Sequence, residues 1–146
     1  VRVAAHAVEE RAPKTLLVGE SKNRLRAATP FDLIERIYNP SMTRDKIAAL
    51  AEVVFEVAKK DEVAAQVLQQ GASALAECVT SVGRKLGFAA SEYTLGVTGG
   101  VILSQGKYRD AVSQCLSDRC YQPLSLELVP QPVTGALQIP RQTLID

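Results

Sequence analysis

Long hydrophobic runs are missing from this 146-residue chain: nothing approaches the roughly 18 to 20 consecutive apolar residues that span a bilayer, and no charged leader precedes an apolar segment at the N-terminus. A cytoplasmic protein with no membrane partner is expected. Basic clusters are missing too. The 17 Lys and Arg against 16 Asp and Glu leave a net charge of +1 without a cationic run, and binding nucleic acid needs clustered cations to neutralise phosphate. No nucleic-acid partner is expected. Histidine occurs once, as His6, so a zinc site built on paired imidazoles is excluded. Cys78, Cys115 and Cys120 are odd in number and lack C-x-x-C spacing, which points to buried, reduced thiols and no metal site.

What is present is a globular composition: 47% apolar and 23% charged residues, in a length that suits one domain. All seven prolines fall within residues 13–40 or 123–140, leaving 41–122 free of them. Because proline removes a helix donor and clashes with the preceding turn, long helices are expected in that gap. The chain begins at Val1 without an initiator Met, and Val1, Ala4, Ala5 and Val8 already share one helical face. That reads as a piece of a longer polypeptide.

Residues 15–26 form a weakly amphipathic helix candidate with Leu16, Leu17 and Leu25 as apolar points. Thr29-Pro30-Phe31-Asp32 then offers an N-cap hydroxyl with proline at the first helical position, and Asn39-Pro40 ends the helix. From 43 to 60 the residues Ile47, Leu50, Ala51, Val54, Val57 and Ala58 recur at spacings of three and four, predicting one buried stripe. Asp61 caps a second long helix whose expected stripe is Ala64, Val67, Leu68, Gly71, Leu75, Cys78, Val79, Val82 and Leu86, with Gly87 as terminator. Residues 93–97 then read as a buried strand, 107–120 as a helix, and 124–129 as a strand with Leu124, Leu126 and Leu128 inward. A short last helix is expected over 133–139.

An apolar strand, a crossover helix and a second strand make a βαβ unit, with parallel strands and a right-handed crossover. Two strands are too few to cover a helical layer, so the sheet reads as truncated, with unpaired edges and an uncovered apolar face that favour self-association into a homo-oligomer.

The segment Leu95-Gly96-Val97-Thr98-Gly99-Gly100-Val101-Ile102-Leu103-Ser104 carries the most information. Paired glycines at the carboxyl end of a parallel strand let a ligand approach bare backbone, although tight strand-to-helix turns also use glycine for steric reasons alone. Three sharper motifs fail on spacing. A Walker loop needs G-x-x-x-x-G-K followed by Ser or Thr, whereas five residues separate Gly100 from Gly106 and Tyr108 follows Lys107. A G-x-G-x-x-G fingerprint is absent, and Ser104 lacks the flanking glycines of a hydrolase elbow.

Residues 94–104, together with Leu126-Glu127-Leu128-Val129-Pro130-Gln131-Pro132-Val133-Thr134-Gly135-Ala136-Leu137, resemble the C-terminal half of the BadF/BadG/BcrA/BcrD-type ATPases, a group that includes N-acetylglucosamine kinases within the actin, hexokinase and Hsp70 superfamily. Phe31-Asp32-Leu33-Ile34, Ile47-Ala48-Ala49-Leu50-Ala51 and Ala58-Lys59-Lys60-Asp61-Glu62-Val63-Ala64 are similar to the helical insertion of the sugar kinases.

The resemblance implies an α/β, ribonuclease H-like (actin-like ATPase) lobe, truncated, with a helical insertion over about residues 1–88 and a βαβα part with a small parallel sheet over about 92–140. It further implies an ATP-dependent amino-sugar kinase as the parent, using ATP with Mg. Thr98, Gly99, Gly100 and Val101 would line part of the adenosine pocket. The family's phosphate loops and catalytic aspartate precede the matched region, so no catalytic residue is carried over and the isolated chain should be inactive, requiring no cofactor. Where relatives have Asp-Gly-Arg-Gly-Pro this chain has Glu9-Glu10-Arg11-Ala12-Pro13, which leaves sugar specificity open. Two other readings stand beside the kinase: an ATPase activator of a 2-hydroxyacyl-CoA dehydratase or benzoyl-CoA reductase, which needs cluster-spaced cysteines this chain lacks, and a non-catalytic interaction or regulatory module.

Overall fold

A computed structural model describes residues 14–134. The helix expected over 1–10, His6, residues 9–13 and the end of the last expected helix lie outside the described residues. By its internal contacts the chain divides into two compact units, Val1–Gly71 and Ala72–Asp146.

In the first unit, α1 (Leu16–Leu25) starts where the Thr15 hydroxyl accepts from the Leu17 N–H at 3.2 Å. Helix α2 (Pro30–Tyr38) opens with a complete capping box: Thr29 Oγ1 accepts from the Asp32 N–H and Asp32 Oδ2 accepts from the Thr29 N–H, both at 3.1 Å. The Ala28 N–H also donates to Asp32 Oδ2, and these backbone donors, Thr29's first, hold the Asp32 carboxyl below its ordinary pKa. Asn39 is extended, as a residue before proline should be. Helix α3 (Arg44–Val57) follows. Leu17, Val57 and Ala64 form the buried core, with Val53, Val54 and Ala58 packed against it. The expected stripe of α3 holds from Leu50 onward, while Ile47 is exposed.

Helix α4 (Glu62–Lys85) carries the division between the units. Its start and stop are as the sequence predicts. The Asp61 carboxylate accepts from the Ala64 N–H at 2.9 Å, and Gly87, at φ 78°, ends the helix. There the Gly87 N–H donates to the Arg84 carbonyl and the Phe88 N–H to the Gly83 carbonyl, a Schellman motif.

The second unit adds β1 (Thr94–Val97), α5 (Gly100–Ser104), α6 (Gly106–Asp118) and β2 (Ser125–Leu128). The strands pair in parallel, Leu95 beside Leu126 and Gly96 beside Glu127, so the expected βαβ unit is present with a two-stranded sheet. Its core is Ala72, Ala76, Val112, Cys115 and Leu116, against which Val79, Leu95, Ile102, Tyr108 and Ala111 pack. Among the described residues no helix is long and apolar enough to cross a membrane.

The structure corrects several expectations. The buried line of α4 in this unit is Ala72, Ala76, Thr80 and Gly83, whereas Leu75, Cys78, Val82 and Leu86 of the expected stripe are exposed. Small side chains are selected here because α6 and the Tyr121 ring come close, and closeness excludes volume. The strand expected at 93–97 is only partly buried: Tyr93 is buried, Leu95 and Val97 are half-buried, and Thr94 and Gly96 point outward. Leu124 and Leu128 are exposed, so the alternation expected for β2 survives only at Leu126. On one face of the sheet Thr94 and Ser125 hydrogen-bond across the strands at 3.0 Å and Glu127 is exposed, while Leu124 and Leu128 leave apolar surface exposed as well. The single helix expected over 107–120 is preceded by the separate short helix α5. Of the three thiols only Cys115 is buried.

Helices α1 and α6 also end in Schellman geometry, but with Arg26 (φ 53°) and Cys120 (φ 51°) in the left-handed position that glycine usually takes. A Cβ there costs about 1 kcal/mol. Cys120→Gly is therefore expected to raise stability by about 0.5 kcal/mol once glycine's larger unfolded-state entropy is subtracted, read as an increased urea midpoint. A lowered midpoint would contradict the strain.

Candidate functional site

The site predicted from sequence is one contiguous turn at the carboxyl end of β1. Val97 ends the strand, Thr98 follows, and Gly99 adopts φ 109°, ψ 147°, a conformation open essentially to glycine alone. At Gly99 the residue type is thus a backbone requirement. At Gly100, the first residue of α5, it is not: a Cβ built there, as at Gly99, meets nothing within 4 Å. Thr98, Gly99 and Gly100 are exposed and Val101 is half-buried. The turn presents bare backbone, and no side chain caps the first turn of α5, so its leading N–H groups are free of intrahelical partners.

Two contacts hold this turn from behind. Ile102 packs against the core of the second unit. Arg109, in α6, reaches back to the end of α5, where Nη1 donates to the carbonyls of Ile102 and Leu103, each at 2.8 Å.

The amino ends of the strands are locked by aromatic rings. Tyr93 Oη donates to the Tyr121 carbonyl at 2.7 Å and Tyr121 Oη to the Phe88 carbonyl at 2.6 Å, while the Tyr93 ring stacks on Phe88 and tilts against Tyr121, with centroids 6.3 and 5.3 Å apart. Burial, then the neighbouring Tyr121, raises the Tyr93 pKa above that of a free phenol. At the opposite ends the Val129 N–H donates to the Val97 carbonyl at 2.8 Å, and beyond it Thr98, Gly99 and Gly100 are exposed at the carboxyl end of β1. This is where ligands bind open parallel sheets.

A hollow of about 730 Å³ in the same unit lies elsewhere, lined by Glu77, Thr80, Ser81, Arg84, Lys85 and Arg119. Its arginines are engaged in the fold. Arg119 donates to Ser73 Oγ and the Cys115 carbonyl, both at 2.9 Å, and the Arg84 guanidinium lies 5.8 Å from the Tyr121 ring centroid. In the first unit a cleft of about 470 Å³ has Val53 and Val57 in its wall and the exposed Arg24–Glu52 ion pair, at 3.0 Å, among its lining.

All four sequence-predicted site residues thus lie together on one accessible turn. Sequence reasoning missed Arg109 behind it and the aromatic lock at the opposite strand ends, because no local spacing announces either. The turn offers backbone donors and one hydroxyl, a set that fits hydrogen-bonding groups of a nucleotide. It does not fit a metal, and among the described residues no three His, Cys, Asp or Glu side chains stand together as metal ligands.

A strand, a bare glycine turn and a crossover returning to a parallel strand make an α/β corner. No family model matches the chain, and no solved structure does. Its sequence is similar to proteins named N-acetylglucosamine kinases. It is 30% identical over 139 residues to the N-acetyl-D-glucosamine kinase of Dictyostelium discoideum, covering 93% of this chain and 44% of that protein. It is 31% identical over 103 residues to the N-acetylmuramic acid/N-acetylglucosamine kinase of Clostridium acetobutylicum, covering 70% of this chain and 34% of that protein. The chain spans less than half the length of either relative.

Proposed function

We propose that this chain is the C-terminal lobe of an ATP-dependent N-acetylglucosamine- or glucosamine-type sugar kinase of the BadF/BadG/BcrA/BcrD type, and that Thr98, Gly99, Gly100 and Val101 form part of its adenosine pocket. The observation that carries this reading is the exposed glycine turn at the carboxyl end of β1, in a chain whose relatives are kinases of this name. In the whole protein the substrates are Mg·ATP and an amino sugar. On this reading the metal, the phosphate cradle and the base come from polypeptide beyond this chain. The fold is a ribonuclease H-like lobe whose two strands are completed by further strands along their open edges. Without those parts the chain transfers no phosphoryl group. Its remaining exposed edges favour self-association.

The turn's role here would be to let the nucleoside approach without Cβ obstruction and to meet it with backbone N–H groups. Titrating the ¹⁵N-labelled chain with ADP should move the amides of Thr98, Gly99, Gly100 and Val101, with a Kd on the order of 1 mM, about −4 kcal/mol. Gly100→Val projects a side chain into the open space and should abolish those shifts while changing stability by no more than about 0.5 kcal/mol, because its Cβ meets nothing. Shifts that ADP induces elsewhere, or that persist unchanged in Gly100→Val, would reject the assignment.

A further inference from the structure

Helix α5 is five residues long, far too short to persist through its own hydrogen bonds. Its entry point, Gly99, is glycine, the residue type whose backbone is least restricted by sterics, so the local chain does not dictate which way α5 points. Its exit, Gln105, is non-helical, and only its backbone N–H reaches back, to the Val101 carbonyl. The carbonyls of Ile102 and Leu103 would be orphaned at this end. Both are taken by one nitrogen of Arg109 at 2.8 Å, from the first turns of α6, whose core residues Val112, Cys115 and Leu116 are buried. A guanidinium at a helix C-terminus is favoured by the helix dipole, and bonds from a charged donor are stronger than neutral ones.

From this geometry we infer that Arg109 is the positioning residue of the glycine turn: by tethering the far end of α5 to the buried crossover helix, it fixes the direction in which Gly99, Gly100 and Val101 present their backbone. It touches no ligand itself. The effect on ligand affinity rests on the nucleotide reading proposed above, whereas the tether does not.

The test compares Arg109→Met and Arg109→Lys in the same 146-residue chain. Amide hydrogen exchange reports the tether directly, because the Leu103 N–H donates to the Gly99 carbonyl and the Gln105 N–H to the Val101 carbonyl. In Arg109→Met these two amides should exchange about tenfold faster, with Cys115 and Leu116 within about twofold of the parent chain. The ADP-induced shifts at residues 98–101 should need about fivefold more nucleotide in Arg109→Met. Lysine keeps a charged donor and should recover part of both effects.

Unchanged exchange at Leu103 and Gln105 in Arg109→Met overturns the inference. So does acceleration spread equally through α6, since the arginine would then be a general stabiliser. If ADP moves no amide in the parent chain, the nucleotide reading fails, and the exchange result still decides the tether.

Discussion

Replacing Asp61 with alanine is expected to lower the unfolding free energy by about 2 kcal/mol, twice the usual cost of losing one N-cap. One carboxylate serves two helix starts. Asp61 Oδ1 accepts from the Ala64 N–H at the start of α4, and Oδ2 accepts from the Leu16 N–H at 2.6 Å and the Thr15 hydroxyl at 2.9 Å at the start of α1. Desolvation alone would raise the Asp61 pKa, but the donors from Ala64, Leu16, Thr15 and Val63 outweigh it and leave the carboxyl below its ordinary value.

The sign of the pH dependence follows. A carboxyl that titrates lower in the folded state contributes stability above its unfolded pKa of about 3.9, and that contribution is lost as pH falls through the folded value. The difference between the parent chain and Asp61→Ala in urea unfolding should therefore be full at pH 7 and shrink below about pH 4. Asp61→Asn, which keeps one acceptor oxygen, should lose about half as much. A loss under about 0.5 kcal/mol for the alanine variant at pH 7 would mean that water replaces the caps.

Those caps also mark what could be read from the chain alone. Thr29-Pro30, Asp61 as the cap of α4, and Gly87 are local devices, since in these roles each acts on backbone groups a few residues away, and the structure uses them where the sequence places them, whereas the second hold of Asp61, on Thr15 and Leu16, is not local. The proline gap likewise holds α4, and the change of period after Gly87 gives β1, α6 and β2. What escaped depends on distant partners. Arg26 and Cys120 stop helices in left-handed geometry, but nothing in either residue type signals it. The break at Gln105 that separates α5 from α6 is held by Arg109 from the next helix. The expected stripe of α4 fails in the second unit because burial there follows closeness of approach rather than apolar volume. Leu75 and Val82 are larger than Ala72 and Ala76, yet the alanines are in the core with Val112, Cys115 and Leu116, with Val79 packed beside them, while Leu75 and Val82 are exposed. The glycine turn was legible because its chemistry is contiguous in sequence. The arginine that aims it was not.

Gly83 shows the same closeness at its tightest, and Gly83→Val is expected to cost about 3 kcal/mol. A Cβ at this position would lie 2.9 Å from Tyr121 Cε1 and 3.0 Å from Cζ, with the hydroxyl nearer still. The ring has nowhere to retreat. Its hydroxyl is bonded to the Phe88 carbonyl, its face is packed on Tyr93, and its own backbone carbonyl accepts from Tyr93 Oη. Displacing the ring would release the contacts that pin the amino ends of the two strands.

Gly83→Ala separates the clash from helix propensity, because alanine gains about 1 kcal/mol over glycine in a helix interior. In the parent chain that gain should be cancelled by overpacking, leaving a net loss of about 1 kcal/mol. In a Tyr121→Leu background, where the ring is gone, the same change should stabilise by a few tenths of a kcal/mol or more. The double-mutant cycle in urea thus predicts a coupling of at least about 1 kcal/mol between Gly83 and Tyr121. Additive effects would show that the ring yields freely, and the strand ends would then be held by backbone pairing alone.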